Sequence, residues 1–299
     1  MPDNPQRPAP SDFRLDGHVV LALSGPDAIA FAQAQFMNDV APLGVMDWHW
    51  SGWLTPKGRV IALFALLRRD EQTLWLVLPD ADPETVRSAL SRFVFRSKVR
   101  IEVLDDVAAT GSFMAPTEAE GARAAMLDGG FIEMDMRGSG GERTLRFGPA
   151  DAAPNASAQM DWQAADLRHG LPRLPQSQVE QWTPQQLSLD RLAAFSVKKG
   201  CYPGQEIVAR TQYRGILKRR MALAHAEGGE RPLPGHPVYS ATFGGQAAGE
   251  VVDAAPSPDG GWDVLAVAQV EALRQRDLRL ASPEGPVLRI LSHPAADAA

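Results

Sequence analysis

The sequence contains a single cysteine, Cys201, and that scarcity removes several functional classes at once. One thiol cannot close an intramolecular disulfide, nor supply the paired cysteines of a zinc knuckle or a self-contained iron-sulfur site. A cluster bound here would take its other ligands from elsewhere. Long apolar runs are missing too: none approaches the roughly 20 residues that a membrane helix needs, so no membrane association is expected. There is no surplus of positive charge; the formal net charge is -6, which argues against broad attraction to phosphate backbones or anionic lipid and for no direct nucleic-acid partner. The chain also lacks a P-loop, a Gly-x-Gly-x-x-Gly turn after a strand, a His-Glu-x-x-His pair, and a nucleophile elbow to accompany His169, His225 or His236.

What is present describes a folded, soluble protein. Its 299 residues are 44% hydrophobic and 22% charged, enough for one large domain or two to three modest ones with their own cores. Residues 1–11 are polar and proline-rich without the apolar stretch of a secretory signal, and read as a disordered lead-in to a cytoplasmic protein. A strand is expected over His18–Leu23. A helix should follow, with Ile29, Ala32, Phe36, Met37 and Val40 on one face and Gln33 as the polar intruder. Strands over Trp50–Leu54, Val60–Leu67 and Thr73–Leu78 come next, the first two joined as a hairpin by Thr55-Pro56-Lys57-Gly58.

Asp82 as a cap, Pro83 at the first helical position and the stripe Val86, Ala89, Leu90, Phe93 and Val94 define a second helix, and Val99–Val103 a closing strand. Strands interleaved with two helices point to an α+β sandwich. A second α+β lobe is expected between Ala115 and Pro154, with Gly138-Ser139-Gly140-Gly141 as a hairpin tip. From Met221 the pattern becomes short apolar runs broken by glycine and proline, which favours a small β-barrel over 221–291 with a loose tail over 292–299. The region before it, 12–220, holds the two lobes, with their boundary near 110–160.

The chemistry-bearing stretch begins at Trp182. Thr183, Pro184 and Gln186 form a capping box that should start a short helix. Lys198, Lys199, Gly200, Cys201, Tyr202, Pro203 and Gly204 then make a tight loop, and a further helix is expected from Gly204 with Ile207, Val208 and Thr211 on its buried side. A lone cysteine is ordinarily core filling, but two lysines and two glycines around it indicate an exposed, sharply turning loop. The positive end of the following helix and the two lysines favour the thiolate, while Glu206 opposes that shift unless it pairs with a lysine. Arg214 with Lys218, Arg219 and Arg220 forms a basic cluster, a solvated face or a partner-docking patch.

The run Lys-Gly-Cys-Tyr-x-Gly-Gln-Glu-x-Val-Ala-Arg over 199–210 resembles the diagnostic motif of the YgfZ family of folate-binding, iron-sulfur-maintenance proteins, relatives of the glycine-cleavage T-protein. The resemblance extends through Gly52–Val60, Phe93–Val99 and Trp162–Pro172. It implies a T-protein-like fold, two α+β lobes around a central folate-sized hole plus a C-terminal β-barrel. It implies tetrahydrofolate or a derivative as cofactor, and a role in assembly or repair of iron-sulfur clusters, including those of radical enzymes that modify tRNA. Partners would be iron-sulfur proteins or cluster-assembly factors, and a transient cluster could be shared with one of them through Cys201.

The motif positions carried over are Lys199, as activator of the functional thiol of Cys201, with Gly200, Tyr202, Gly204, Gln205, Glu206 and Arg210. Trp162 is the aromatic that would pack on folate, and His18 stands where some relatives place a tryptophan. The carboxylate that T-proteins carry in the segment matching Leu167-Arg168-His169-Gly170 is missing. An accessory factor is therefore expected rather than an aminomethyltransferase; the alternative is a folate-dependent one-carbon (aminomethyl or methyl) transferase using the same hole.

Overall fold

The computed structural model describes residues 12–149, 152–215 and 217–292. The lead-in 1–11 and most of the expected tail lie outside the described residues. In chain order the elements are β1 (Phe13–Arg14), β2 (Val19–Ser24), α1 (Ala28–Gln35), β3 (Trp48–Leu54), β4 (Val60–Asp70), β5 (Thr73–Leu78), α2 (Pro83–Ser91), β6 (Arg100–Val103) and β7 (Ala108–Ser112). They continue with β8 (Ala125–Met126), β9 (Ile132–Asp135), β10 (Thr144–Gly148), α3 (Ala156–His169) and α4 (Gln205–Arg214). The last are β11 (Arg219–Ala226), β12 (Pro237–Ser240), β13 (Ala247–Pro256), β14 (Trp262–Gln269), α5 (Val270–Gln275), β15 (Leu278–Leu280) and β16 (Leu288–Ser292). No described helix is long and apolar enough to cross a membrane.

Three antiparallel sheets result, ordered β3-β4-β5-β2-β6, β1-β7-β10-β9-β8 and β15-β12-β13-β14-β11-β16. In the first, side chains alternate across β4: Ala62, Phe64 and Leu66 face the cluster that holds α1 and α2. Leu63, Ala65 and Leu67 face a second cluster that reaches every sheet. Both faces are covered, so this strand reads as an uninterrupted apolar run rather than an alternating one. The third sheet is a curled half-barrel whose two edge strands come back toward each other, joined by the bridge Arg279↔Val287. Helix α3 is tied to it by Gln163 Nε2 to Asp253 Oδ1 at 3.0 Å and Arg168 Nε to Asp263 Oδ2 at 2.7 Å.

Local chemistry explains the helix starts. Asp82 accepts from Thr85 N at 2.8 Å with Pro83 at N1, as expected for α2. The first helix is shorter than its stripe implied, ending at Gln35 rather than near Val40. Gln33 is the cause: its amide donates to Asp39 Oδ1 and accepts from Val40 N at 2.7 Å, turning the chain back on itself. Phe36, Met37 and Val40 are still fully buried, although they lie beyond the end of the helix. The capping box also forms, with Thr183 N donating to Gln186 Oε1 at 3.0 Å and Gln186 N to Thr183 Oγ1 at 3.3 Å. Beyond it the chain passes through successive turns instead of a helix, with Ser188 and Ala193 at positive φ and Ser188 Oγ bonded to Met221 O.

Candidate functional site

The Cys201 motif occupies the loop leading into α4, and its polar groups are spent on holding that loop. Ser196 N donates to Met37 O at 2.8 Å, and Ser196 Oγ accepts from the N-H groups of Lys198 and Lys199. The Lys199 side chain runs inward: Nζ donates to Phe36 O at 2.6 Å and to Asn38 O at 2.8 Å, and lies 5.1 Å from the Tyr202 ring centre. Tyr202 OH donates to Ser196 O, and Gln205 Nε2 to Lys199 O. Gly204 has φ 80°, and a Cβ there would stand 2.6 Å from Thr55 O and 2.7 Å from Gly58 Cα. Glycine is required at 204 because only it allows this contact between the loop and the β3–β4 turn.

Cys201 itself is exposed. The cation assigned as its activator points elsewhere, since the bonds of the Lys199 ammonium are to two carbonyls. Burial pushes the Lys199 pKa down to about 8, with Asp39 partly opposing the shift. Burial also pushes Tyr202 up to about 12. Burial, reinforced by the nearby Lys199 charge, pushes His49 down to about 4. Glu206 pairs with Arg210 at 2.8 Å, one turn along α4, and not with a lysine. That pair is exposed and contributes little to stability. Gly200 is open on all sides: a Cβ there would meet nothing within 4 Å.

One cavity reaches the loop through Pro203, and a second lies beyond it. The first, of about 610 Å³, is walled by Trp53, Val86, Ala89, Phe93, Leu174 and Pro203 among others. The other, of about 440 Å³, includes Asp39, Trp48 and His49. Trp162 and His18 line neither of them. Trp162 is 0% exposed, enclosed by Phe13, Phe113 and His18, with the Arg143 guanidinium 4.8 Å from its ring centre. Arg143 is in turn paired with Asp166 at 2.6 Å, which also takes Arg173 at 2.6 Å. His18 is buried against that group, and its pKa falls to about 3, first from desolvation and then from the Arg173 charge. In this structure both residues are core, because the face offered to a ligand is already covered by a phenylalanine ring or a guanidinium.

No family model matches the chain. It is 27% identical to the tRNA-modifying protein YgfZ of Cronobacter sakazakii over 264 residues, 79% of each chain. It is 28% identical to the protein of that name from Klebsiella pneumoniae over 226 residues, 69% of each. An uncharacterized protein of Haemophilus influenzae is 31% identical over 212 residues, 69% of this chain and 70% of that one. The chain belongs to the YgfZ family. The crystal structure of glycine cleavage system aminomethyltransferase T from Bartonella henselae superposes with a TM-score of 0.73, covering 96% of this chain and 86% of that one at 13% identity. That match shows the fold, which is T-protein-like.

For a YgfZ-family chain with this fold, position 169 is informative. His169 closes α3 just before Gly170. It lies under the Gly138–Gly141 turn, so close that a Cβ on Gly138 would fall 2.6 Å from its Cε1. Its Nδ1 has no partner, and burial lowers its pKa. Asn38, which the sequence motifs do not single out, is 9% exposed and joins three segments. Its Nδ2 donates to Trp50 O and Ala193 O, its backbone N to Ser51 Oγ, and its carbonyl receives Lys199. The signal in the sequence is an amide between the buried Met37 and Val40, where it can bond backbone across the fold.

Proposed function

We propose that this YgfZ-family chain serves tRNA modification as an accessory factor, assisting the assembly or repair of iron-sulfur clusters in the enzymes concerned through the thiol of Cys201. The observation that carries the proposal is an exposed thiol in a loop that the inward bonds of Ser196, Lys199, Tyr202 and Gln205 fix in place. Such a thiol can reach a partner. The relatives named tRNA-modifying protein supply the process. Among the described residues no group of three or more histidine, cysteine or acidic side chains is placed to hold a metal. A cluster is therefore cargo, ligated mainly by the partner, with the thiol giving up its proton to solvent as Sγ bonds iron.

Tetrahydrofolate binding, which the family resemblance implies, is the second part of the proposal. Trp162 and His18 do not fit it as they stand, being buried in the core. The T-protein-like fold alone does not favour aminomethyl transfer, and an imidazole at 169 cannot reproduce a carboxylate that accepts hydrogen bonds from a pterin.

Cells in which Cys201→Ala replaces the native chain should lose iron-sulfur enzyme activity and tRNA modification under oxidative stress. Wild-type levels of both would end the reading. For folate, tetrahydrofolate should raise the melting temperature of the native protein in a concentration-dependent way; no shift at millimolar ligand would remove that part.

A further inference from the structure

The cavity of about 610 Å³ lies on the helix-covered side of the first sheet, with Pro203, two residues past Cys201, in its wall. Its floor is apolar. Trp53 and Phe93 meet edge to face with ring centres 5.9 Å apart, and Val86 and Ala89 of α2 line the side. Trp53 is 4% exposed, yet its indole Nε1 has no hydrogen-bond partner. A buried N-H without an acceptor is an unusual cost for a fold to carry. The indole forms part of the cavity wall, with its nitrogen enclosed.

The apolar surface does not stop at the rim. Phe93 is 49% exposed and Phe95 84% exposed, in a segment that holds no acidic side chain between Arg92 and Arg100. Arg92, Arg96 and Lys98 form no ion pair among the described residues; Arg96 only stacks on Phe95 at 5.3 Å. In a chain of net charge -6, this is a local excess of cations next to two uncovered phenylalanines. The far rim carries Asp80, Asp82 and Glu180. Two of these are engaged, Asp80 accepting from Leu174 N and Asp82 from Thr85 N.

We infer that this groove docks a segment of a client protein: a large apolar side chain anchored against Trp53 and Phe93, followed by acidic residues that meet Arg92, Arg96 and Lys98. The volume suits one or two side chains and not a globular surface. Charge complementarity sets the direction of the segment, its acidic end toward Phe95. A single-stranded nucleic acid could use the same phenylalanines and cations, but Asp82 and Glu180 across the groove repel phosphate, so a peptide is favoured. The inference rests on the reading of this chain as a factor that serves other proteins, and it brings the client beside the Cys201 loop.

Fluorescence anisotropy with a labelled dodecapeptide, a Phe-Leu pair followed by four glutamates, tests it on the full chain. Binding should weaken at least tenfold when the glutamates become lysines, in the Arg92→Glu/Arg96→Glu variant, and in Ala89→Trp, which fills the groove. Phe95→Ser, at an exposed position, gives a variant whose folding is not at issue and should weaken binding severalfold. Saturating peptide should slow alkylation of Cys201 by iodoacetamide. Absence of peptide binding overturns the inference. So do equal affinity for the lysine peptide, undiminished binding by a folded Ala89→Trp protein, and tighter binding of a uridine-rich RNA oligonucleotide. Peptide binding by Cys201→Ala, measured beside that variant's activity in cells, separates the two readings: the groove can hold while the thiol fails, and the reverse.

Discussion

The Cys201 loop and the Trp162 cluster are both polar groups set into apolar surroundings, and they resolve that conflict in opposite directions. Around Trp162, charge is met by charge: Asp166 takes both Arg143 and Arg173 in the core. In the loop, a cation is met by backbone: the Lys199 ammonium donates hydrogen bonds to two carbonyls, and the thiol two residues on is left in solvent. The first arrangement ties elements together in the core; the second fixes the loop that carries an exposed thiol. A motif rich in functional-looking residues can thus be mostly scaffold, with one member acting outward.

Substitutions can break this contrast, and the largest effect is expected in the core. Asp166→Ala leaves two guanidinium groups without their carboxylate and should cost about 4 kcal/mol, read by urea denaturation. A loss under about 1 kcal/mol would mean that solvent reaches the cluster. Gly204→Ala comes next. The left-handed backbone and the collision with the β3–β4 turn should together cost about 3 kcal/mol, and a crystal structure should show the turn displaced. An unchanged melting temperature would show that loop and turn are not in contact.

A pH titration sharpens the comparison. His18 binds its proton in the folded state only near pH 3, against an ordinary value of 6.5. As the pH falls below 6.5, the unfolded chain gains a proton that the folded chain refuses, so stability drops through this window. Between pH 7 and 4 the contribution is about 3 kcal/mol, and His18→Gln should lose that much less over the same range. Parallel curves for the two proteins would place His18 in contact with water. The smallest effect belongs to Cys201→Ser, an exposed side chain without structural bonds, whose melting temperature should stay within about 2 °C of the wild type. A larger fall would turn the thiol from an outward group into a packing one.

Much of the fold was legible where one local interaction decides the outcome. The Asp82–Pro83 start of α2 and the strand Thr73–Leu78 needed only capping chemistry and apolar composition. The end of α1 was not, because Gln33 acts through bonds to Asp39 and Val40 that a stripe of apolar residues conceals. The capping box at Thr183 forms as its residues imply and the helix it should start does not, since contacts with β11 hold Ser188 in another conformation. Within the site, the exposure of Cys201 followed from its glycine and lysine neighbours. The direction of Lys199 did not, for its partners, Phe36 and Asn38, are distant in sequence. Trp162 shows the limit from the other side: an aromatic in a matching segment says nothing about which of its faces is free.

Gly204 and Gly58 touch backbone to backbone, with no side chain between them to absorb a change. The hairpin turn and the cysteine loop consequently behave as one lever. A single residue inserted after Thr55 would move the sulfur without altering any residue near it.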